Sequence, residues 1–160
     1  MSSDAQETLN SLIIPLNGET LLLPNVAVAE LVGYRITRPA PPGAPQWFLG
    51  WSLWREQQVP MVDFEAMQGQ PLQAPEGIPR GLVLNALGGR PGISFIGLRV
   101  GGIPRSRRVQ RGELSAHGEA SGLSVQSVRL ADDALDMLIP DLPAIEQLLD
   151  EHQLLRPPAA

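Results

Sequence analysis

Cysteine is absent from this 160-residue chain. A disulfide framework, a thiolate metal site and thiol redox chemistry are therefore all excluded. Lysine is absent too, so all twelve basic residues are arginine. Beside 16 glycines and 16 prolines this reads as genome composition rather than as chemistry. No apolar run approaches the roughly 18 residues of a membrane span, and the start, MSSDAQETLN, is polar and acidic, unlike a signal peptide. A soluble cytoplasmic protein with no membrane insertion is the expectation. Aromatic residues are few, at 4% of the chain, which makes their placement informative. An apolar content of 43% is enough for one core, or for two small linked ones.

All three tryptophans fall between positions 47 and 54, in PQWFLGWSLWREQQVPMVDF (45–64). The i, i+4, i+7 spacing of Trp47, Trp51 and Trp54 would suit one face of a helix. Pro45, Gly50 and the β-favouring run Val59, Met61, Val62, Phe64 argue instead for a hairpin. A strand from Phe48 to Trp54 puts Leu49, Trp51 and Leu53 on one face and Phe48, Gly50, Ser52 and Trp54 on the other. Arg55 to Gln58 forms a four-residue turn, and the returning strand ends at Asp63. With two faces to cover, one of Trp51 and Trp54 is expected in the core and the other exposed. An exposed tryptophan, with Phe48, Val59 and Met61, is of the kind that anchors protein interfaces.

Elsewhere, Asn17-Gly18 between apolar runs at Leu12–Leu16 and Thr20–Leu23 signals a hairpin, and Pro15 places the first of those strands on an edge or at a bulge. Asn25 is expected to cap a short helix running to Val32, with Tyr34–Thr37 a strand and Arg38–Pro45 an extended loop. GQPLQAPEGIP (69–79) has linker composition. Beyond it, strands are expected near 81–87, 93–100, 106–110, 123–130 and 134–139. A final helix from Asp141 to His152 would bury Leu142, Ile145, Leu148 and Leu149. Residues 1–9 and 153–160 read as flexible tails. The segment Val59–Phe64 before a helical fragment is echoed by Leu138–Leu142 before the last helix. Many short strands with such an echo predict two small β-barrels side by side.

Catalysis finds no support. Asp63 and Asp141 occupy echoing places but lack the Asp-Thr/Ser-Gly of aspartic proteases, and helix capping explains both. His117 with Ser115, Ser121 and Asp132 contains the residue types of a hydrolase triad without a nucleophile elbow. His152 suits the C-terminal end of a helix, and two distant histidines do not make a metal site. Gly88-Gly89 and Gly101-Gly102 lack the rest of a phosphate loop and read as turns. No catalytic residue, cofactor or metal is expected. Arg99, Arg105, Arg107, Arg108 and Arg111 form a basic stretch, while the C-terminal segment is acidic. With a net charge of −5 and no interleaved aromatics, a solvated strand edge or a patch for an acidic protein is favoured over nucleic acid.

Gly50 followed by Arg55 and then Val59-Pro60-Met61-Val62-Asp63-Phe64 resembles the G-hydrophobic-hydrophobic-N-L-R-G … V-P-V-hydrophobic-D-L signature of CheW-like chemosensory adaptors. PPGAPQWF (41–48) and Val28-Ala29-Glu30-Leu31 resemble that family's approach to this signature and its V-x-E-I motif. Gly97–Val100 and Leu138–Leu142 resemble positions in its second half. The resemblance implies an all-β fold with short helices, made of two SH3-like five-stranded β-barrel subdomains. One CheW-like domain would cover 10–152, with halves at about 12–68 and 80–140. It also implies a non-enzymatic scaffold, recruited to receptor arrays, coupling the cytoplasmic tip of a methyl-accepting chemoreceptor to the regulatory domain of a CheA-like histidine kinase. Glu30 and Arg55 would form an ion pair and, with Phe48, Trp51, Trp54, Val59 and Met61, the partner-binding set. Leu53 in place of Asn, Glu56 in place of Gly and Gly101 in place of Asp mark a divergent member, such as one serving surface or twitching motility. Two alternatives remain at this point. One is a CheW-like docking protein for another regulator without receptor coupling; the other is a β-barrel binding a ligand or an oligonucleotide.

Overall fold

In the computed structural model, residues 8–74, 77–110, 112, 114–116, 123–130 and 136–158 are described. The strands are β1 (Thr8–Pro15), β2 (Thr20–Pro24), β3 (Val28–Gly33), β4 (Arg38–Pro39), β5 (Phe48–Trp54), β6 (Gln57–Val62), β7 (Arg80–Asn85), β8 (Phe95–Val100), β9 (Arg105–Gln110), β10 (Leu114–Ala116), β11 (Ser124–Leu130) and β12 (Asp136–Pro140). Two helices, α1 (Phe64–Met67) and α2 (Leu142–Glu151), follow β6 and β12. Among the described residues, no helix is long and apolar enough to cross a membrane.

The strands form two barrel-like subdomains, each built on a sheet of six strands rather than five. One sheet runs β10-β11-β12-β2-β1-β9 and the other β4-β5-β6-β8-β7-β3. Position for position, the second order is the first with its strands drawn from the opposite half of the chain. Each half thus keeps its later hairpin and lends its first one, β1–β2 or β7–β8, to the other half's sheet. The lent hairpins join through parallel contacts, β12 with β2 and β6 with β8. The expected halves, 12–68 and 80–140, are therefore not the two subdomains.

Alternation explains three apolar clusters, because neighbouring strand residues face opposite ways. Ile14, Leu21, Leu23, Trp51, Val62, Leu82, Leu84 and Leu98 fill the space between the sheets, together with Phe64 of α1 and Leu142, Ile145 and Leu149 of α2. The opposite faces supply two smaller cores: Ile13, Leu22, Val109, Val128 and Met137 in one subdomain, Trp54, Val59, Met61 and Val83 in the other. Both helices begin as expected. Asp63 and Asp141 accept hydrogen bonds from Ala66 N at 2.9 Å and Ala144 N at 3.1 Å, satisfying amide donors left open at a helix start.

Helix carboxylates also hold the exchanged hairpins. Glu65 of α1 accepts from Asn17 N at 3.0 Å and Gly18 N at 2.7 Å in the β1–β2 turn. Glu146 of α2 accepts from Gly88 N at 3.1 Å in the β7–β8 turn and pairs with Arg90. Glu146 is fully buried, so this pairing offsets the desolvation of its charge.

Several local expectations are corrected. Pro15 does not mark an edge strand: β1 lies between β2 and β9, and Pro15 sits past Ile13, where the β9 ladder stops. The helix expected from Asn25 is one 3-10 turn, Asn25–Ala27, after which β3 pairs with β7. Tyr34–Thr37 is not a strand, and β4 begins only at Arg38. The tail also departs from expectation, because Leu154 and Leu155 are buried in the core between the sheets.

Candidate functional site

The β5–β6 hairpin turns through two residues, not four. Arg55 and Glu56 have φ of 47° and 66°, the positive pair that a type I′ turn requires. The register shifts between Phe48 and Gly50. That bulge puts Phe48 on the same face as Trp51, their rings 4.8 Å apart, and leaves Trp54 on the other. Gly50 has φ 122°, and a Cβ there would lie 2.6 Å from the Arg38 carbonyl oxygen. Glycine at this point allows β4 to approach β5.

Trp51 and Trp54 are both buried, against the expectation that one would be exposed. The C-terminal segment covers Trp51, whose Nε1 donates to Leu154 O at 3.0 Å. Phe95 packs edge-on to Trp54 at 4.7 Å. Phe48, Val59 and Met61 are buried as well. A partner cannot touch these four side chains, Phe48, Trp51, Val59 and Met61, as the chain is folded; they support the hairpin from beneath.

The surface above them belongs to Glu30 and Arg55, both of which touch the buried Trp54. Trp54 Nε1 donates to Glu30 Oε1 at 2.8 Å, Arg55 lies 3.4 Å from the same oxygen, and its guanidinium stands 4.6 Å from the Trp54 ring centroid. Glu30 is on β3 and Trp54 on β5, near the two ends of their sheet's strand order. These contacts therefore tie one side of the barrel to the other. The expected ion pair is present but solvated, with side-chain exposures of 70% for Arg55 and 43% for Glu30. Screening limits such a pair to about 1 kcal/mol or less, and the stacked guanidinium adds about 0.5–1 kcal/mol. Arg55 is thus available at the surface, oriented by two weak contacts.

Besides Glu146–Arg90, a second buried ion pair joins residues not paired in the sequence reading. Arg99 donates to Asp63 Oδ2 at 2.8 Å and to Gln73 O at 2.9 Å, joining β8, the α1 cap and the 69–79 segment. Its guanidinium stands 5.8 Å from the Tyr34 ring centroid. Burial pushes the Tyr34 hydroxyl above its ordinary value, while Arg99 opposes the shift. Strand alternation was the available signal. Ile96, Leu98 and Val100 face the central core, so Arg99 must point with Phe95 and Gly97 toward the small core and needs a partner there.

The departures from the family signature have local consequences. Leu53, on the Trp51 face, is exposed. Glu56 occupies a left-handed conformation that glycine adopts freely. At Gly101, whose N–H donates to Pro15 O at 2.9 Å, a Cβ would lie 3.1 Å from Leu16 O, so a side chain would crowd that backbone. Ser115 donates to Arg129 O at 3.4 Å. The other members of the triad considered above, His117, Ser121 and Asp132, lie outside the described residues, as does Arg111 of the basic stretch.

A family model described as the CheW-like domain matches residues 10–150. The crystal structure of the scaffolding protein TtCheW from Thermoanaerobacter tengcongensis superposes with a TM-score of 0.66 at 15% identity, covering 82% of this chain and 88% of that one. At that identity the superposition speaks for the fold alone. No curated protein matches the chain in sequence. With the family model spanning both subdomains, Glu30 and the β5–β6 hairpin, the chain belongs to the CheW-like family.

Proposed function

We propose that this protein is a non-enzymatic chemosensory adaptor that couples a methyl-accepting chemoreceptor to a CheA-like histidine kinase. The family match over 10–150 carries the proposal, and the exposed Arg55, held on Trp54 and Glu30, offers a contact point on a rigid hairpin. Coupling here means linked binding: receptor state reaches the kinase only if the adaptor's affinity for one depends on the state of the other. The protein would then sit at membrane-associated receptor arrays without entering the bilayer. Its departures at Leu53, Glu56 and Gly101 favour a secondary system, such as one controlling surface motility.

The test is a three-component mixture of this protein, a receptor cytoplasmic fragment and the kinase regulatory domain from the same genome. Sedimentation should show receptor and kinase domain in one complex only when the adaptor is present. Binding to the kinase domain with none to the receptor would instead establish a docking protein without receptor coupling. Binding to neither, with salt-sensitive binding to single-stranded oligonucleotide, would move the assignment to a nucleic-acid binder.

A further inference from the structure

The face of β5 that carries Trp51 passes from 1% exposure at Trp51 to 55% at Leu53 within two residues. Trp51 is roofed by the C-terminal segment through Leu154, while Leu53 is not. The same segment is tied down at two further points, by Arg156 donating to Pro91 O and by Arg38 donating to Pro158 O at 2.6 Å. Beside it opens a cleft of about 580 Å3, lined by Arg38, Arg156, Gln57, Gln58 and Ser94, with Pro158 among its wall residues.

Register joins the exposed leucine to this cleft. Arg38 is the β4 partner of Trp51 and Gln58 the β6 partner of Leu53, and directly opposed residues share a face. Arg38, Leu53 and Gln58 therefore stand on one continuous surface. No acidic side chain among the described residues lines the cleft. Among the described residues, Arg38 and Arg156 donate to backbone carbonyls and meet no carboxylate. Asp150 lies in a neighbouring depression whose wall Arg156 shares, but it is paired there with Arg90 at 3.2 Å. In a chain of net charge −5, two arginines with no acidic partner among the described residues, beside an exposed leucine, form a distinct chemical feature.

We infer that this cleft docks an extended acidic segment of a partner protein, with an aliphatic side chain on Leu53 and carboxylates on Arg38 and Arg156. Each guanidinium retains N–H donors beyond the one given to the backbone, and arginine suits carboxylate geometry. Gln57 and Gln58 supply neutral amides for the segment's backbone. An apolar anchor flanked by charges is the usual anatomy of a protein contact. Choosing a protein segment over a free small anion rests in part on the adaptor reading.

The test titrates the full chain with a fluorescein-labelled peptide, Glu-Asp-Leu-Glu-Asp-Glu, and with the same peptide carrying Ser for Leu. Saturable binding of the leucine peptide is expected, weakened at least fivefold by Arg38→Gln, by Arg156→Gln and by the Ser peptide. Leu53→Asn, a surface change that leaves the arginine contacts in place, should weaken the leucine peptide similarly and the Ser peptide little. The double variant Arg105→Gln/Arg108→Gln on β9 removes two charges elsewhere and should bind as wild type. Absence of saturable binding overturns the inference. So does equal loss in the β9 variant, which would mean diffuse attraction, or displacement by inorganic phosphate at low millimolar concentration with no effect of Leu53→Asn, which would mean a small-anion site. Kinase-domain binding by the same variants is read in parallel, so failure of the cleft is separable from failure of the adaptor reading.

Discussion

Glu56 sits at φ 66° in the second central position of the β5–β6 turn. An L-residue there is strained by about 1–2 kcal/mol, whereas glycine is not, although glycine gives back about 0.5–1 kcal/mol through the freer unfolded chain. Glu56→Gly should therefore raise stability by up to about 1 kcal/mol, seen in urea midpoints at unchanged m-value. Glu19 sets a pH effect. Burial raises its carboxyl pKa above 4.5, the Glu65 charge adds to the shift, and the hydrogen bond from Gln70 opposes it; its Oε2 is buried without a hydrogen-bond partner. A carboxyl whose pKa is raised on folding contributes stability below the unfolded value and loses it as pH rises through the folded value. Glu19→Gln should thus melt above wild type at pH 7, and the gap should close toward pH 4.5. No change in that gap with pH would show that the carboxyl titrates as it does in the unfolded chain. Removing Arg99 instead strands the buried Asp63 charge, so Arg99→Ala should destabilise by about 3–5 kcal/mol, more than the loss in Arg55→Ala.

At the scale of elements, the β5–β6 and β1–β2 hairpins, the strands β7, β8, β9, β11 and β12 and both capped helices were readable from turn residues, alternation and caps close to one another in sequence, whereas the three-residue β10 was missed. The bulge at Phe48–Gly50 was not, because one extra residue reverses the face assignment without changing composition. Nor was the C-terminal strap. Leu154 and Leu155 look like a tail beside Arg156-Pro157-Pro158, and their burial depends on a tryptophan 103 residues away. The pairing of Glu30 with Arg55 was foreseen, but its exposure was not, since Leu31 beside Glu30 packs against the central core and Arg55 stands in the turn beyond the end of β5. Truncation after His152 should uncover Trp51, shift its emission to the red and cost several kcal/mol. The two leucines alone are worth about 1.5–3 kcal/mol each when fully buried. An unchanged emission maximum would contradict the strap.

For the whole molecule, the exchange of first hairpins makes the two halves interdependent. Local sequence carries no mark of it, because β1–β2 would form the same hairpin whichever sheet it joined. The pattern of parallel contacts, β12 with β2 and β6 with β8, shows the exchange. A chain cleaved within 69–79 should stay assembled and melt as one unit. Residues 1–74 or 77–160 expressed alone should show no cooperative transition and should regain one on mixing. Independent cooperative folding of either half would contradict the exchange.

The adaptor role itself rests on contact with a kinase, so titration calorimetry of the CheA-like regulatory domain into the full chain comes first, with Arg55→Ala run beside it. Arg55 is mostly exposed, and losing its ion pair and ring contact together should cost about 2 kcal/mol of stability or less, so the variant remains folded. Saturable wild-type binding with at least tenfold weakening in Arg55→Ala is the expected result. No binding by the wild-type chain would contradict the adaptor assignment, and equal binding by both would remove Arg55 from the contact.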